Sequence, residues 1–352
     1  MSQSVPISVV DLFCGAGGLT HGFILEDLSV VAGIDLDPSC KYPYEKNNTG
    51  AKFVQADVER LPGEEVAALY SASSVRVLAG CAPCQPFSTY RQGHDASKDG
   101  RWGLLLSFGR LIGEILPEIA TMENVPQLSK HSVYTDFEKT LRRLGYHVSA
   151  HEAYCPDYGV PQRRRRLVVM ASRLGPIRLE DGTFDPSSYR TVRTAIGDQP
   201  EVRAGQGSES DPLHKASGMS EVNLRRIRAS KPGKTWRDWE ESLVAECHRR
   251  ENGRTYPGVY GRMEWGAPAP TITTECYAFG SGRFGHPEQD RAISLREAAL
   301  LQTFPRSYEF VAPGEPVHFK RIGRLVGNAV PVDLARAIAR SIRNHVEAHS
   351  DR

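Results

Sequence analysis

Two cysteines three positions apart are the first residues in this chain able to do covalent chemistry. Cys81 and Cys84 lie in Gly80-Cys81-Ala82-Pro83-Cys84-Gln85-Pro86-Phe87-Ser88. A thiol serves as a nucleophile, a redox partner or a metal ligand according to its surroundings. The Cys-x-x-Cys spacing fits a redox pair or half of a zinc site. A thioredoxin-type pair normally opens a helix, whereas Pro86 follows here. A zinc site needs a second ligand pair, and no CxxC, CxxH or HxxxH pair is expected elsewhere in the chain. An inert structural thiol and a nucleophile on a rigid turn remain open beside these. The residues before the pair, Val75 to Ala79, are short, apolar and partly β-branched, the pattern of a buried parallel strand. Two prolines cannot continue a central strand. The chain therefore leaves the sheet at Gly80 and carries Cys84 to a strand's carboxyl end, where open α/β sheets form their ligand crevices.

Other strand exits deliver glycine, acid or arginine. Ile7 to Phe13 reads as a strand running into Cys14-Gly15-Ala16-Gly17-Gly18-Leu19, a turn whose glycines let backbone N–H groups approach a ligand. Thr20 stands where a dinucleotide fingerprint has its third glycine, which disfavours a nicotinamide cofactor. Asp35 closes the apolar run from Val30, about 20 residues past the turn, where an acid can hold a ribose diol. Phe53 to Asp57 repeats the pattern. Jointly these read as a site for an adenosine-containing cofactor. Ile119 to Asn124 is a further strand, with Glu123 at its exit. In Gln162-Arg163-Arg164-Arg165-Arg166, strand alternation puts Gln162, Arg164 and Arg166 on one face and Arg163 and Arg165 on the other.

The Pro-Cys-Gln-Pro turn resembles the nucleophile motif of cytosine-5 DNA methyltransferases of the prokaryotic modification type. Asp11 to Leu19 resembles that family's S-adenosylmethionine loop, and Glu123-Asn124-Val125 its second catalytic motif. Gln162-x-Arg164-x-Arg166, Thr271-Ile272, Ser294 to Pro305 and Gly327 to Pro331 follow in the family's order, so the likeness spans residues 11 to about 340. The resemblance implies Cys84, Glu123, Arg164 and Arg166 as catalytic residues. It implies Phe13, Gly15, Ala16, Gly17, Asp35, Leu36, Asp57, Val58, Leu104, Asn328, Ala329 and Val330 around S-adenosylmethionine, with S-adenosylhomocysteine as product. Within that set Phe13 packs on the adenine, Asp35 bonds the ribose and Asp57 reaches the adenine amino group. It implies Gln85, Ser88, Arg101, Gln162 and Thr271 at DNA, and no metal. Leu36 stands where a larger side chain often covers the adenine, and Trp102 where small residues are common.

The elements that must position these groups follow from pattern. The expected fold is α/β: a Rossmann-like, doubly wound, mostly parallel sheet with a smaller second domain. Residues 1–188 are expected to form the catalytic and cofactor domain, 189–315 a target-recognition domain, and 316–352 a return to the first. Leu104 to Leu116 and Val133 to Leu144 read as scaffold helices. Thr89 to Gly103 is polar and aperiodic, a loop beside the nucleophile. Between Val222 and Arg237 lie six basic residues and no acidic one, with Trp236 and Trp239 beside them. That run suits a phosphate-tracking patch and equally a solvated helix face.

Composition bounds the rest. The 352 residues suffice for two domains, and 40% hydrophobic with 24% charged residues is ordinary for a globular protein. Seven scattered cysteines fit reduced thiols in a bacterial cytoplasm or nucleoid, and no stretch reads as a membrane span or signal peptide. A net charge of +2 requires any nucleic-acid contact to come from local patches. The expected partner is double-stranded DNA, met by a monomer, with a cognate restriction endonuclease acting separately. An RNA cytosine methyltransferase is the nearest rival, and a catalytically silent regulator the rival of another class.

Overall fold

The computed structural model describes residues 5–82 and 103–350. Cys84, Gln85, Ser88, Arg101 and Trp102 lie outside the described residues. The chain divides into two compact units. One holds the residues up to Tyr158, then Arg165–Thr183, then those from Val330 onward. The other holds Gly159–Arg164 and Phe184–Ala329. These boundaries lie beside the expected 188/189 and 315/316 without coinciding with them.

The first unit carries a sheet of seven strands among the described residues. They are β1 (Ile7–Leu12), β2 (Ser29–Asp35), β3 (Lys52–Gln55), β4 (Val75–Gly80), β5 (Ile119–Asn124), β6 (His147–Tyr154) and β7 (Arg165–Ser172), in the order β3-β2-β1-β4-β5-β7-β6. β7 runs antiparallel to both its neighbours, and the remaining pairs are parallel. The strand order reverses between β1 and β4, so a crevice opens at their carboxyl ends. Parallel register brings Leu12 level with Ile34 and with Gly80, and Asp35 level with Gln55. The glycine turn and both acidic exits thus arise along one edge.

β1 and β4 are apolar on both faces because helices cover both. On one face, Leu12, Leu78 and Met122 pack beneath the helices Gly103–Ile115 and Ser132–Arg143, whose Phe108 and Phe137 rings stack at 6.0 Å. On the other, the helix Gly18–Ile24 lies against Val332–Ser350. Their approach depends on Gly22: a Cβ there would collide with Ala335 Cβ and stand 2.7 Å from Val332 O. Gly22→Ala should therefore destabilise the protein by about 1–3 kcal/mol, read as a lower urea midpoint at unchanged slope.

The second unit has little regular structure. Its helices include Val192–Ile196, Glu221–Ala229, Leu295–Leu301 and Phe319–Asn328. Trp236 and Trp239 are buried with Ile227, Leu243 and Phe279, and their indole N–H groups donate to Tyr256 O and Ser230 Oγ. The two indoles therefore belong to a core rather than to a basic surface. A second core is ionic. Arg291 and Glu297, both fully buried, make two 2.7 Å bonds, and Glu297 also completes a capping box with Ser294. His286 lies beside them. Its Nδ1 accepts from Glu288 N and Gln289 N, which leaves Nε2 protonated and 3.8 Å from Glu297 Oε1. Burial holds this imidazole down at about 4, against the opposing pull of Glu297. In the unfolded chain it binds a proton near its ordinary 6.5, so its contribution to stability is lost as pH falls from about 6.5 to about 4, up to about 3 kcal/mol. Urea midpoints at both ends of that window should show the loss, and His286→Gln should flatten it.

Candidate active site

The exit of β1 is built for close approach. Phe13, Gly15 and Gly17 have φ of 58°, 53° and 88°, and Cys14 N donates to Ile34 O, so the chain turns sharply over the tip of β2. No described atom lies within 4 Å of where a Gly15 Cβ would stand, so open space faces the turn. Asp35 locks the turn: its Oδ2 accepts Gly15 N at 2.9 Å and its Oδ1 accepts Asp37 N at 2.9 Å. Beside it Leu36 is 63% exposed, a large apolar side chain left uncovered at the crevice edge. Asp57 follows the tip of β3, its Oδ1 accepting Glu59 N. Val58 is buried, and Leu104 lies half-buried in the first turn of the helix Gly103–Ile115. Ala16 and Val330 are buried within the same unit.

Asp11 was not singled out by the sequence. It is buried beneath the glycine turn, and its Oδ2 accepts from Thr20 Oγ1 at 2.7 Å. Thr20 Oγ1 is in turn 3.0 Å from Tyr44 Oη. Burial pushes the Asp11 carboxyl up to about 7, opposed by the Thr20 bond. Alternation along β1 was the available signal, since Asp11 interrupts an apolar run.

The second cluster forms at the exits of β4 and β5 and the start of β7. Because β7 is antiparallel to β5, its first residues lie at the carboxyl end of β5, with Glu123 level with Val168 and Asn124 with Leu167. That registry places Arg166 at Glu123. Glu123 is 3% exposed; its Oε1 is 2.8 Å from Arg166 Nε, and its Oε2 accepts from Cys81 Sγ at 3.0 Å. Arg166 retains 13% exposure. Asn124 Nδ2 donates to Ala82 O at 3.2 Å, and Cys81 N donates to Leu12 O. The Glu-Asn pair therefore grips the two residues from which the chain runs on to Cys84. Cys81 entered the sequence reading only through its spacing from Cys84, and its bond to Glu123 had no sequence signal.

Gln162, Arg164, Thr271 and Ala329 come together in the second unit. Arg164 is buried, and its Nη1 donates to Ile272 O at 3.0 Å, with longer bonds from both Nη atoms to Gly327 O and from Nη2 to Ala329 O. Gln162 is 0% exposed. Its Oε1 accepts from Ile272 N, and its Nε2 donates to Leu301 O and Gln302 Oε1. Both amide hydrogens are committed, so Gln162 braces this unit and has none to offer a base or phosphate. Thr271 Oγ1 donates to Arg163 O, and Asn328 is exposed at the end of its helix. Burial alternates from Gln162 to Arg165 as strand geometry anticipates, although β7 begins only at Arg165.

Among the described residues no three His, Cys, Asp or Glu side chains are grouped to hold a metal ion. An HxxxH spacing does exist at His345 and His349, but His345 Nε2 bonds Ser172 Oγ and His349 Nδ1 bonds His345 O. Burial pushes the thiols of Cys14 and Cys276 up, Cys276 to about 12, which makes both poor nucleophiles. Among the described residues no helix is long and apolar enough to cross a membrane.

Comparison with known proteins agrees with this geometry. Residues 7–344 match the family model described as C-5 cytosine-specific DNA methylase. The chain is 53% identical to the Type II methylase M.HgiDII of Herpetosiphon aurantiacus over 98% of this chain and 97% of that one. It is 30% identical to the Type II methyltransferase M1.HphI of Haemophilus parahaemolyticus over 96% and 86%. A solved methyltransferase encoded within an E. coli prophage superposes with a TM-score of 0.72, at 21% identity over 97% and 99%, a likeness of fold. The chain thus belongs to the C-5 cytosine-specific DNA methylase family and is a DNA (cytosine-5-)-methyltransferase.

Proposed function

We propose that this enzyme methylates carbon 5 of a cytosine flipped out of double-stranded DNA, through a transient covalent bond from Cys84. The observation that carries the reading is the buried Glu123 at the end of β5, held by Arg166 and by Cys81, the latter just past the end of β4 where the chain runs on to Cys84.

The first unit suits S-adenosylmethionine. Open space faces Gly15; Asp35, oriented by two backbone N–H groups, would hold a ribose diol; and exposed Leu36 and half-buried Phe13 would offer apolar cover for a flat adenine. Asp57 would meet the adenine amino group, with Val58, Leu104, Ala16, Gly17 and Val330 completing the surround. The resemblance adds Asn328 and Ala329 to the proposed cofactor contacts. When bound, the cofactor supplies an electrophilic methyl on a sulfonium and leaves as S-adenosylhomocysteine.

Carbon 5 of cytosine is too weak a nucleophile unaided. The Cys84 thiolate adds to carbon 6, breaking the 5,6 double bond and making carbon 5 an enamine carbon. Glu123 holds the proton at ring nitrogen 3 that relieves the charge built up on addition. Arg166, which pairs with Glu123, is also the candidate for the base's carbonyl oxygen. Arg164, spent on carbonyls of its own unit, is proposed to stiffen that unit and to lend positive charge. After methyl transfer a base removes the carbon 5 proton, the carbon–sulfur bond breaks and Cys84 is released. A stacked cytosine cannot reach these groups, so flipping is required at a cost of a few kcal/mol. Gln85, Ser88, Arg101 and Thr271 are proposed DNA contacts.

DNA is favoured over RNA because the second unit, Phe184–Ala329, offers the surface that base readout needs. The Type II label of the relatives supports a restriction endonuclease acting separately on the same sequence. The test is transfer of a labelled methyl group to duplex DNA and to tRNA, followed by mapping 5-methylcytosine in cells expressing the chain. One recurring DNA sequence context is expected. Preferential labelling of tRNA, or label at no cytosine, overturns the reading.

A further inference from the structure

Resting on the reading of Glu123 as the group that holds a proton at the base, we propose that Cys81 is a positioning residue for it, fixing one carboxyl oxygen while Arg166 fixes the other. The two oxygens are claimed by different elements: Oε2 by a hydrogen bond from the thiol at 3.0 Å, just past β4, and Oε1 by an ion pair, without hydrogen-bond geometry, to the guanidinium at 2.8 Å on β7. Among the described residues these are the charged or titratable side chains in contact with Glu123. The thiol is itself anchored. Cys81 N donates to Leu12 O, Ala82 O accepts from Asn124 Nδ2, and a Cβ on Gly80 would stand 3.3 Å from both Leu12 O and Phe108 Cε2. The backbone that presents the sulfur is thus pinned on three sides.

A thiol is chemically suited to this place. A guanidinium can only donate, so it favours the carboxylate at every stage. Sulfur is a weak donor and a weak acceptor, so it keeps its contact whether the carboxyl is ionised or carries a proton. Cys81 therefore orients the carboxyl while biasing its proton little. A hydroxyl at the same position donates more strongly and favours the ionised form.

The experiment uses the full-length enzyme and the variants Cys81→Ala, Cys81→Ser and Glu123→Gln. Single-turnover methyl transfer is followed across about pH 6 to 9, with KM for DNA, cofactor affinity and Tm measured alongside. Cys81→Ala should lower kcat by about tenfold and leave KM for DNA and cofactor affinity unchanged. Cys81→Ser should recover most of that rate at the acid end, with the alkaline limb of its profile moved to lower pH. A wild-type kcat and profile in Cys81→Ala overturns the inference. So does a uniform loss at every pH accompanied by weakened cofactor binding and a lower Tm, the mark of a purely structural residue. If Cys81→Ala does not fold, the limb of Cys81→Ser decides alone: moved, the inference stands; unmoved, it falls. Glu123→Gln separates the two layers. Near-normal turnover there removes the reading of Glu123 itself, whereas an inactive Glu123→Gln beside an unaffected Cys81→Ala removes only the role of Cys81.

Discussion

Replacing Cys84 with alanine is expected to lower methyl transfer by at least about 10⁴-fold while cofactor binding stays intact. The size follows from the chemistry. Without a bond at carbon 6, carbon 5 has no enamine character, and positioning alone cannot supply it. Cofactor affinity is spared because the groups proposed to hold it, from Phe13 to Asp57, stand at the carboxyl ends of β1, β2 and β3 or just past them rather than on the turn after β4. A second readout is a DNA duplex carrying 5-fluorocytosine at the target. Fluorine cannot leave carbon 5 as a proton does, so the wild type should become locked to the duplex in a denaturant-resistant complex and Cys84→Ala should not. Turnover within tenfold of the wild type in Cys84→Ala would eliminate the covalent route.

Glu123→Gln should lower kcat by about 10²–10³-fold, with KM for DNA little changed. The amide keeps the shape of the carboxyl but cannot deliver a proton to ring nitrogen 3. It also breaks the local pairing: if its oxygen faces Arg166 Nε, its NH₂ faces the thiol, and if it flips, two donors confront each other at Arg166. Fold stability should fall modestly by comparison, because Gln still fills the same buried volume. A loss of less than threefold under single-turnover conditions would show that the nitrogen 3 proton is not supplied from this side chain.

The sheet was legible because parallel strands buried on both faces write themselves as apolar runs with a glycine or acid at the exit. Val30 to Asp35 and Val75 to Gly80 are of that kind, and both are strands. Glu123 and Arg166 could each be named, since each sits where a periodic run meets a polar residue. Their pairing was not readable, because it depends on β7 running antiparallel, which no local pattern records. The thiol of Cys81 escaped for the same reason: its partner is 42 residues away. The resemblance implies Gln162 at DNA, whereas alternation tells only which residues share a face and not whether that face is covered. The structure covers it with Ile272, Leu301 and Gln302. Trp236 and Trp239 show the converse. Beside six basic residues they suit a phosphate-tracking patch, yet both rings fill a small core with Ile227, Leu243 and Phe279.

The pairing of Gly18–Ile24 with Val332–Ser350 has a consequence for biogenesis. The helix Gly18–Ile24 docks on one made more than 300 residues later, so the first unit of the nascent polypeptide waits, one flank uncovered, until Val332–Ser350 has been translated. The segment encoded between them has all its own residues by Ala329 and can mature first. A premature stop near that codon would therefore spare the later-begun portion and ruin the one begun first.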